Sequence, residues 1–186
     1  SNTGGQMSKA TPKGAVAKFA AAGKPGKKKD LSMIAMAYEN VYVAHVAFGA
    51  RDMQTLKAFM EAESYPGPSL IIAYSPCIAH GVDLSFNLRQ QDLAMKSGHW
   101  NLFRYDPRRL VEGKNPLQLD SKEPSIPYRD FSSTEMRFSM LQRSHPDIAK
   151  ELIRQAEAEA KERYEHYKKL SEITYDSEQE TDLAQE

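Results

Sequence analysis

The sequence predicts an α/β fold, a parallel sheet with flanking helices followed by C-terminal helices, and three stretches carry that expectation. Val41-Tyr42-Val43-Ala44-His45-Val46-Ala47-Phe48 is a near-continuous apolar run with β-branched residues, which suits a strand covered on both faces. Ser69-Leu70-Ile71-Ile72-Ala73-Tyr74 is a second such run, and between the two Leu56, Phe59, Met60 and Glu63 recur at helical spacing. Strand, helix and strand within about 35 residues make a βαβ unit, whose crossover is right-handed with parallel strands in nearly all cases.

Before the first strand, Gly and Pro recur too often for a long element, in Thr11-Pro12-Lys13-Gly14 and Gly23-Lys24-Pro25-Gly26. Ala15 to Ala22 can form two helical turns stopped by Gly23, and Leu31 to Tyr38 a second short helix with Asp30 as N-cap. Gly49 ends the first strand, Asp52 caps the crossover helix, and Tyr65-Pro66-Gly67-Pro68 forces the chain out of it. Residues 85–97 read as another helix and Trp100 to Tyr105 as a further strand. Residues 106–131 carry Pro and isolated anchors such as Leu110, Leu117 and Tyr128, so an extended excursion with a short strand or two is expected.

Ser132-Ser133-Thr134-Glu135 has the spacing of a capping box, predicting a short helix to about Arg143. A longer helix starts at Pro146, tolerated because the first helical N–H has no partner anyway. Its apolar stripe runs through Ile148, Leu152, Ile153, Ala156, Ala160, Tyr164, Tyr167 and Leu170, with Glu157–Lys161, Glu159–Arg163 and Glu165–Lys169 as supporting pairs. The expected organisation is therefore an α/β part over 1–131, a helical segment over 132–170 packing on it, and an acidic, disordered tail over 171–186.

With 186 residues, 40% of them apolar, the chain has enough material for one core without staples. Its single cysteine, Cys77, excludes an internal disulfide framework and a metal site built from four cysteines of this chain, and suits a reducing compartment. No apolar run approaches the roughly 20 residues that cross a bilayer, so a soluble, cytoplasmic protein without a membrane partner is expected. The first residue is not Met and the opening looks like the interior of a motif, so a fragment is expected. The net charge of zero is unevenly distributed: residues 1–60 hold nine Lys or Arg against three Asp or Glu, and residues 146–186 hold six against twelve. The basic end reads either as a site for phosphates, a polyanion or an acidic protein, or as a solvated face balancing the acidic end. Lys27-Lys28-Lys29 has no interleaved aromatic residues and no nucleic-acid-binding fold beside it, so no nucleic-acid partner is expected.

Two places can carry chemistry. Ser1-Asn2-Thr3-Gly4-Gly5-Gln6 sets two small hydrogen-bonding side chains before a Gly pair; it reads either as a turn or as backbone that approaches a ligand closely. Tyr74-Ser75-Pro76-Cys77-Ile78-Ala79-His80-Gly81 directly follows a predicted parallel strand, and ligands in open α/β sheets collect beyond the carboxyl ends of strands. Cys77 there is an inert small hydrophobe, a metal or cluster ligand, or a redox thiol; His80 is a hydrogen-bonded loop residue or a ligand. His45, His99, His145 and His166 match no zinc spacing, and His45 reads as a satisfied side chain within a strand.

Four blocks of the sequence resemble pyruvate:ferredoxin (flavodoxin) oxidoreductases, in the C-terminal part of their thiamine-diphosphate-binding domain. They are Ser1 to Gln6, Ser8 to Lys24, Lys57-Ala58-Phe59, and Glu63 to Cys77, which runs Glu-Ser-Tyr-Pro-Gly-Pro-Ser-Leu-Ile-Ile-Ala-Tyr-Ser-Pro-Cys. The resemblance extends over about residues 1–170 and departs from the usual pattern at Met7 and Ala79, neither of which replaces a ligand. It implies oxidative decarboxylation of pyruvate with coenzyme A to acetyl-CoA and CO2, electrons passing through 4Fe-4S clusters to ferredoxin or flavodoxin. It implies Asn2 as a catalytic residue beside thiamine diphosphate, Asn2, Thr3 and Gly4 as cofactor-binding residues, and Cys77 as one ligand of a 4Fe-4S cluster. The Mg2+ ligands and the other cluster cysteines are implied to lie elsewhere in the same polypeptide, which is implied to be a homodimer, so the isolated chain is expected to be inactive. Two other functions remain open: an oxidoreductase for another 2-oxoacid, and a non-catalytic interaction or assembly module derived from this domain.

Overall fold

The computed structural model describes residues 4–175 and has a four-stranded sheet between helices. In chain order the main elements are α1 (Leu31–Met36), β1 (Tyr42–Val46), α2 (Asp52–Ser64), β2 (Ser69–Ala73), α3 (Asn87–Lys96), β3 (Phe103–Tyr105), β4 (Leu117–Leu119), α4 (Tyr128–Ser132), α5 (Met136–Ser144) and α6 (Pro146–Ser171). Three short 3-10 helices, Ile78–His80, Leu84–Phe86 and Pro107–Glu112, fill the connections.

The α/β class is as the sequence predicts, with one refinement. β1 and β2 run parallel, Tyr42 opposite Ser69 and Val46 opposite Ala73, as the βαβ reading requires. β3 and β4 are antiparallel, in the order β2-β1-β3-β4, so the sheet is mixed. No long crossover helix separates β3 from β4, and strands joined by a short excursion pair antiparallel.

Strand alternation sorts the core. Tyr42, Ala44 and Val46 of β1 face Ala58 of α2, while Val43 and Phe103 join Met36 of α1 and Tyr167 of α6 on the other face. β1 is thus covered on both sides, whereas β2 is an edge strand with Ser69 and Ala73 exposed. The sheet and α2 are joined by Arg104 of β3, which donates to Glu61 at 2.6 Å and to both oxygens of Asp120 at 2.9 Å. α6 buries Ala149, Leu152, Ala156, Ala160, Tyr164 and Tyr167, one helical stripe; Ala156 and Ala160 pack with Trp100, Leu102, Phe131 and Phe138, and Ala149 and Leu152 with Leu141 of α5.

Several local expectations are met. Asp30 caps α1 by accepting the Met33 N–H at 3.1 Å, and Pro146 stands at the first position of α6. Others are corrected. Ala15 to Ala22 is not helical: Val16 donates its N–H to Arg137 O at 2.8 Å, Phe19 has φ 66, and Gly14 and Lys24 close a loop at 2.9 Å. The capping box does not form either, because Glu135 itself occupies the N-cap of α5 and its side chain turns into the core. Arg51, not Asp52, is the N-cap of α2. On α6 the Glu157–Lys161 pair is present at 3.9 Å, but Glu159 meets Lys13 at 2.7 Å and Arg163 donates to the carbonyls of Gly98 and His99.

On α2 the apolar stripe faces away from the sheet. Met53, Leu56, Phe59 and Met60 are exposed, whereas Gln54, Thr55 and Ala58 are buried. Gln54 holds this orientation by donating to Asp120 at 3.0 Å and to His45 O at 3.3 Å. Beyond α6, Asn115 donates to Leu170 O at 2.7 Å and Ile173 O at 2.8 Å. The acidic tail expected over 171–186 lies outside the described residues from 176 onward. Among the described residues no helix is long and apolar enough to cross a membrane.

Candidate functional site

The loop holding Cys77 begins where the parallel pair ends. Tyr74 prolongs the ladder by donating its N–H to Val46 O at 2.9 Å; Ser75 and Pro76 then carry the chain to Cys77, which is extended at φ −139, ψ 138. A 3-10 turn follows, with His80 N–H donating to Cys77 O at 3.0 Å and Gly81 N–H to Ile78 O at 2.8 Å. The turn ends at Gly81, φ 70, where an added Cβ would stand 2.1 Å from the Met136 Cβ. Both the left-handed backbone and the close approach to α5 therefore demand Gly.

A buried polar cluster fixes the base of this loop. Glu135, 1% exposed, accepts from Tyr74 Oη at 2.8 Å, Gln90 Nε2 at 2.9 Å and Arg137 Nε at 2.5 Å. Thr134 Oγ1 donates to Gln90 Oε1 at 2.8 Å, so the Gln90 amide is engaged at both ends. Burial and the neighbouring Glu135 carboxylate push the Tyr74 hydroxyl far above its ordinary range, which keeps it a donor. Burial and then the Arg137 charge hold His80 down at about 4, so it is neutral at pH 7.

Cys77 is a free thiol and partly exposed. Among the described residues no three His, Cys, Asp or Glu side chains gather to hold a metal ion. The loop therefore presents one soft ligand with room for others to reach it from outside. Ile78 beside it is 73% exposed, an apolar side chain open to a further surface.

Of the opening hexapeptide, Asn2 and Thr3 lie outside the described residues. Gly4 is described, and an added Cβ there would stand 2.2 Å from Gln6 Nε2. The following residues are fastened to Lys18: its N–H donates to Gly5 O at 3.1 Å, and Met7 N–H donates to Lys18 O at 2.9 Å. Val16 of the same loop donates to Arg137 O, so Arg137 holds the N-terminal loop with its backbone and Glu135, under the Cys77 loop, with its side chain.

Sequence reasoning placed Cys77 on a strand-end loop and His45 within a strand, as found. It missed Glu135 and Arg137, whose partners are distant in sequence and whose local pattern resembles an ordinary cap.

No family model matches the chain. Individual proteins do. The chain is 57% identical over 171 residues to the pyruvate-flavodoxin oxidoreductase of Trichormus variabilis, 92% of this chain and 14% of that protein. It is 54% identical over 172 residues to the pyruvate:ferredoxin oxidoreductase of Moorella thermoacetica, 92% of this chain and 15% of that protein. With the pyruvate-flavodoxin oxidoreductase of Klebsiella pneumoniae it shares 50% identity over 173 residues, again 92% and 15%. The chain thus spans about one-seventh of the length of these curated relatives. With half or more of its residues identical across nine-tenths of its length, the chain belongs, as a stretch of their sequence, to the family of pyruvate:ferredoxin (flavodoxin) oxidoreductases.

Proposed function

We propose that this chain is the C-terminal part of the thiamine-diphosphate-binding domain, residues 1–131, with a helical segment over 132–170, of an enzyme that oxidatively decarboxylates pyruvate with coenzyme A. The products are acetyl-CoA and CO2, and the electrons leave for ferredoxin or flavodoxin. The observation that carries the proposal is the lone Cys77, a free, partly exposed thiol beyond the carboxyl end of β2, in a chain 57% identical to such an oxidoreductase.

The residues fit one part of a 4Fe-4S site. A cluster of this kind takes four thiolates. Cys77 supplies one, and the rest of the same polypeptide supplies the others. When bound, the cluster accepts and passes single electrons. The chain's own contribution is position: β2 and Pro76 aim the loop, Tyr74 and Glu135 anchor it, and Gly81 seats it on α5.

At the other end, Asn2, Thr3 and Gly4 border thiamine diphosphate and its Mg2+, with Asn2 the catalytic residue. The Asn2 amide would donate a hydrogen bond to a substrate oxygen as negative charge builds there. The working enzyme is a cytoplasmic homodimer.

The test is Cys77→Ser in the complete oxidoreductase. Loss of about four iron atoms per chain and of one cluster's EPR signal is expected. Unchanged iron content and an unchanged spectrum refute the assignment.

A further inference from the structure

A second polar site surrounds Trp100, whose ring centroid lies 5.2 Å from that of Tyr74. A cavity of about 40 Å³ lies there, lined in part by the cations Lys28, Lys29 and Arg163, the carboxylate of Asp30, and Trp100 and Asn101. A water needs only about 10–15 Å³ on such a measure, so a group of a few heavy atoms enters.

The donors at this cavity outnumber their acceptors. Lys28 Nζ stands 5.6 Å from the Trp100 ring centroid, and among the described residues it makes no hydrogen bond or ion pair. Arg163 donates to the carbonyls of Gly98 and His99, each at 3.0 Å, and meets no carboxylate among the described residues. Asp30 is already engaged, accepting Met33 N–H at 3.1 Å and Tyr167 Oη–H at 2.7 Å. Asn101 is 2% exposed, and its Nδ2 has no hydrogen-bond partner. A buried amide donor of this kind is rare in a folded protein and marks a place for an acceptor.

The aromatic wall adds no charge of its own. His45 stacks on Trp100 with centroids 3.8 Å apart, and its Nδ1 lies 2.6 Å from Asn101 O, a contact in which the ring donates. Burial holds His45 down at about 4 and His99 well below its ordinary value, so both rings are neutral at pH 7. Burial and then the Arg163 charge lower the Lys28 ammonium as well, outweighing the Asp30 carboxylate, which acts the other way.

We propose that this cavity binds a carboxylate-sized oxyanion, held between the Lys28 ammonium and the Arg163 guanidinium and accepting a hydrogen bond from Asn101. Lys28, Lys29 and Arg163 outweigh the Asp30 carboxylate and so disfavour a cation, a neutral apolar group leaves the Asn101 amide unmatched, and the small volume favours a planar carboxylate over a tetrahedral phosphate.

Trp100 is the single tryptophan of the sequence and lines this cavity, so its emission reports binding there. Acetate is titrated into the protein at pH 7 with ionic strength held constant by chloride, and inorganic phosphate is titrated in parallel. The expected result is a saturable change in emission with acetate and a weaker response to phosphate. Lys28→Gln and Asn101→Ala each lower the acetate affinity about tenfold or more, the effect of one charge-assisted hydrogen bond. Lys28 is partly exposed and Lys28→Gln keeps the fold, which far-UV circular dichroism checks. A response linear in acetate, an affinity unchanged in Lys28→Gln, or saturation by phosphate alone overturns the proposal. None of these readouts involves Cys77, so they stand apart from the cluster assignment.

Discussion

Tyr74 donates its hydroxyl hydrogen to Glu135 at 2.8 Å, joining the residue after β2 to the residue before α5. That bond ties the base of the Cys77 loop to the C-terminal helices, beside the direct approach of Met136 to Gly81. Because Glu135 also takes Gln90 and Arg137, removing its carboxylate strands a buried guanidinium and leaves two donors unmatched. Glu135→Ala is expected to lower the unfolding free energy by about 3–5 kcal/mol, the range for breaking one side of a buried ion pair. Tyr74→Phe, which leaves Glu135 its other two partners, is expected to cost about 1 kcal/mol. Urea unfolding measures both. Thiol labelling of the single Cys77 supplies the local readout: faster labelling in Glu135→Ala than in Tyr74→Phe, and slowest in the unchanged protein.

At Gly81 two separate constraints meet, a φ of 70 and an added Cβ 2.1 Å from the Met136 Cβ. The left-handed backbone alone costs a non-Gly residue about 1–2 kcal/mol, and the clash adds to it. Gly81→Ala is therefore expected to destabilise by about 2–4 kcal/mol. Combining it with Met136→Gly relieves the clash and leaves the backbone strain. A double variant as unstable as Gly81→Ala alone shows that contact with α5 does not seat the loop.

The orientation of α2 separates what the sequence reveals from what it hides. The βαβ unit was legible because apolar runs, helical spacing and the Pro-Gly exit are local signals. Which face of α2 turns inward was not, because Leu56 and Phe59 favour one face and Gln54 the other, and the outcome depends on Asp120, a partner supplied by the segment after β4. The same reason underlies Ala15 to Ala22: good helical composition loses to a bond between Val16 and Arg137. In the candidate site Cys77 was legible from its place after a strand, while Glu135 resembled a cap until its distant partners were in view. The orientation has a direct test. Leu56→Ser and Phe59→Ser, at positions 52% and 55% exposed, are expected to change stability by no more than about 0.5 kcal/mol. Ala58→Leu, at a fully buried position, is expected to cost about 1–3 kcal/mol. The opposite ranking in urea unfolding means that the stripe packs on the sheet.

Acidification is expected to weaken the fold through its histidines before its carboxylates. His45 is held at about 4 by burial, against an ordinary value of 6.5, and His80 is lowered to about 4 in the same way. A ring with a depressed value in the fold takes up its proton more readily in the unfolded chain. The stability tied to it is complete above pH 6.5 and drains away as pH falls towards 4. For His45 the span corresponds to about 3 kcal/mol, at about 1.4 kcal/mol per unit. The Glu151 carboxylate, drawn down to about 2 by hydrogen bonds from Arg154 and Gln155, acts lower, between its ordinary 4.5 and 2. The window from 6.5 to 4 therefore belongs mainly to the histidines. Urea unfolding at several pH values across it is expected to show a shallower slope in His45→Gln than in the unchanged protein. Equal slopes mean that His45 takes up its proton without leaving the fold, and that its stack on Trp100 tolerates the charge.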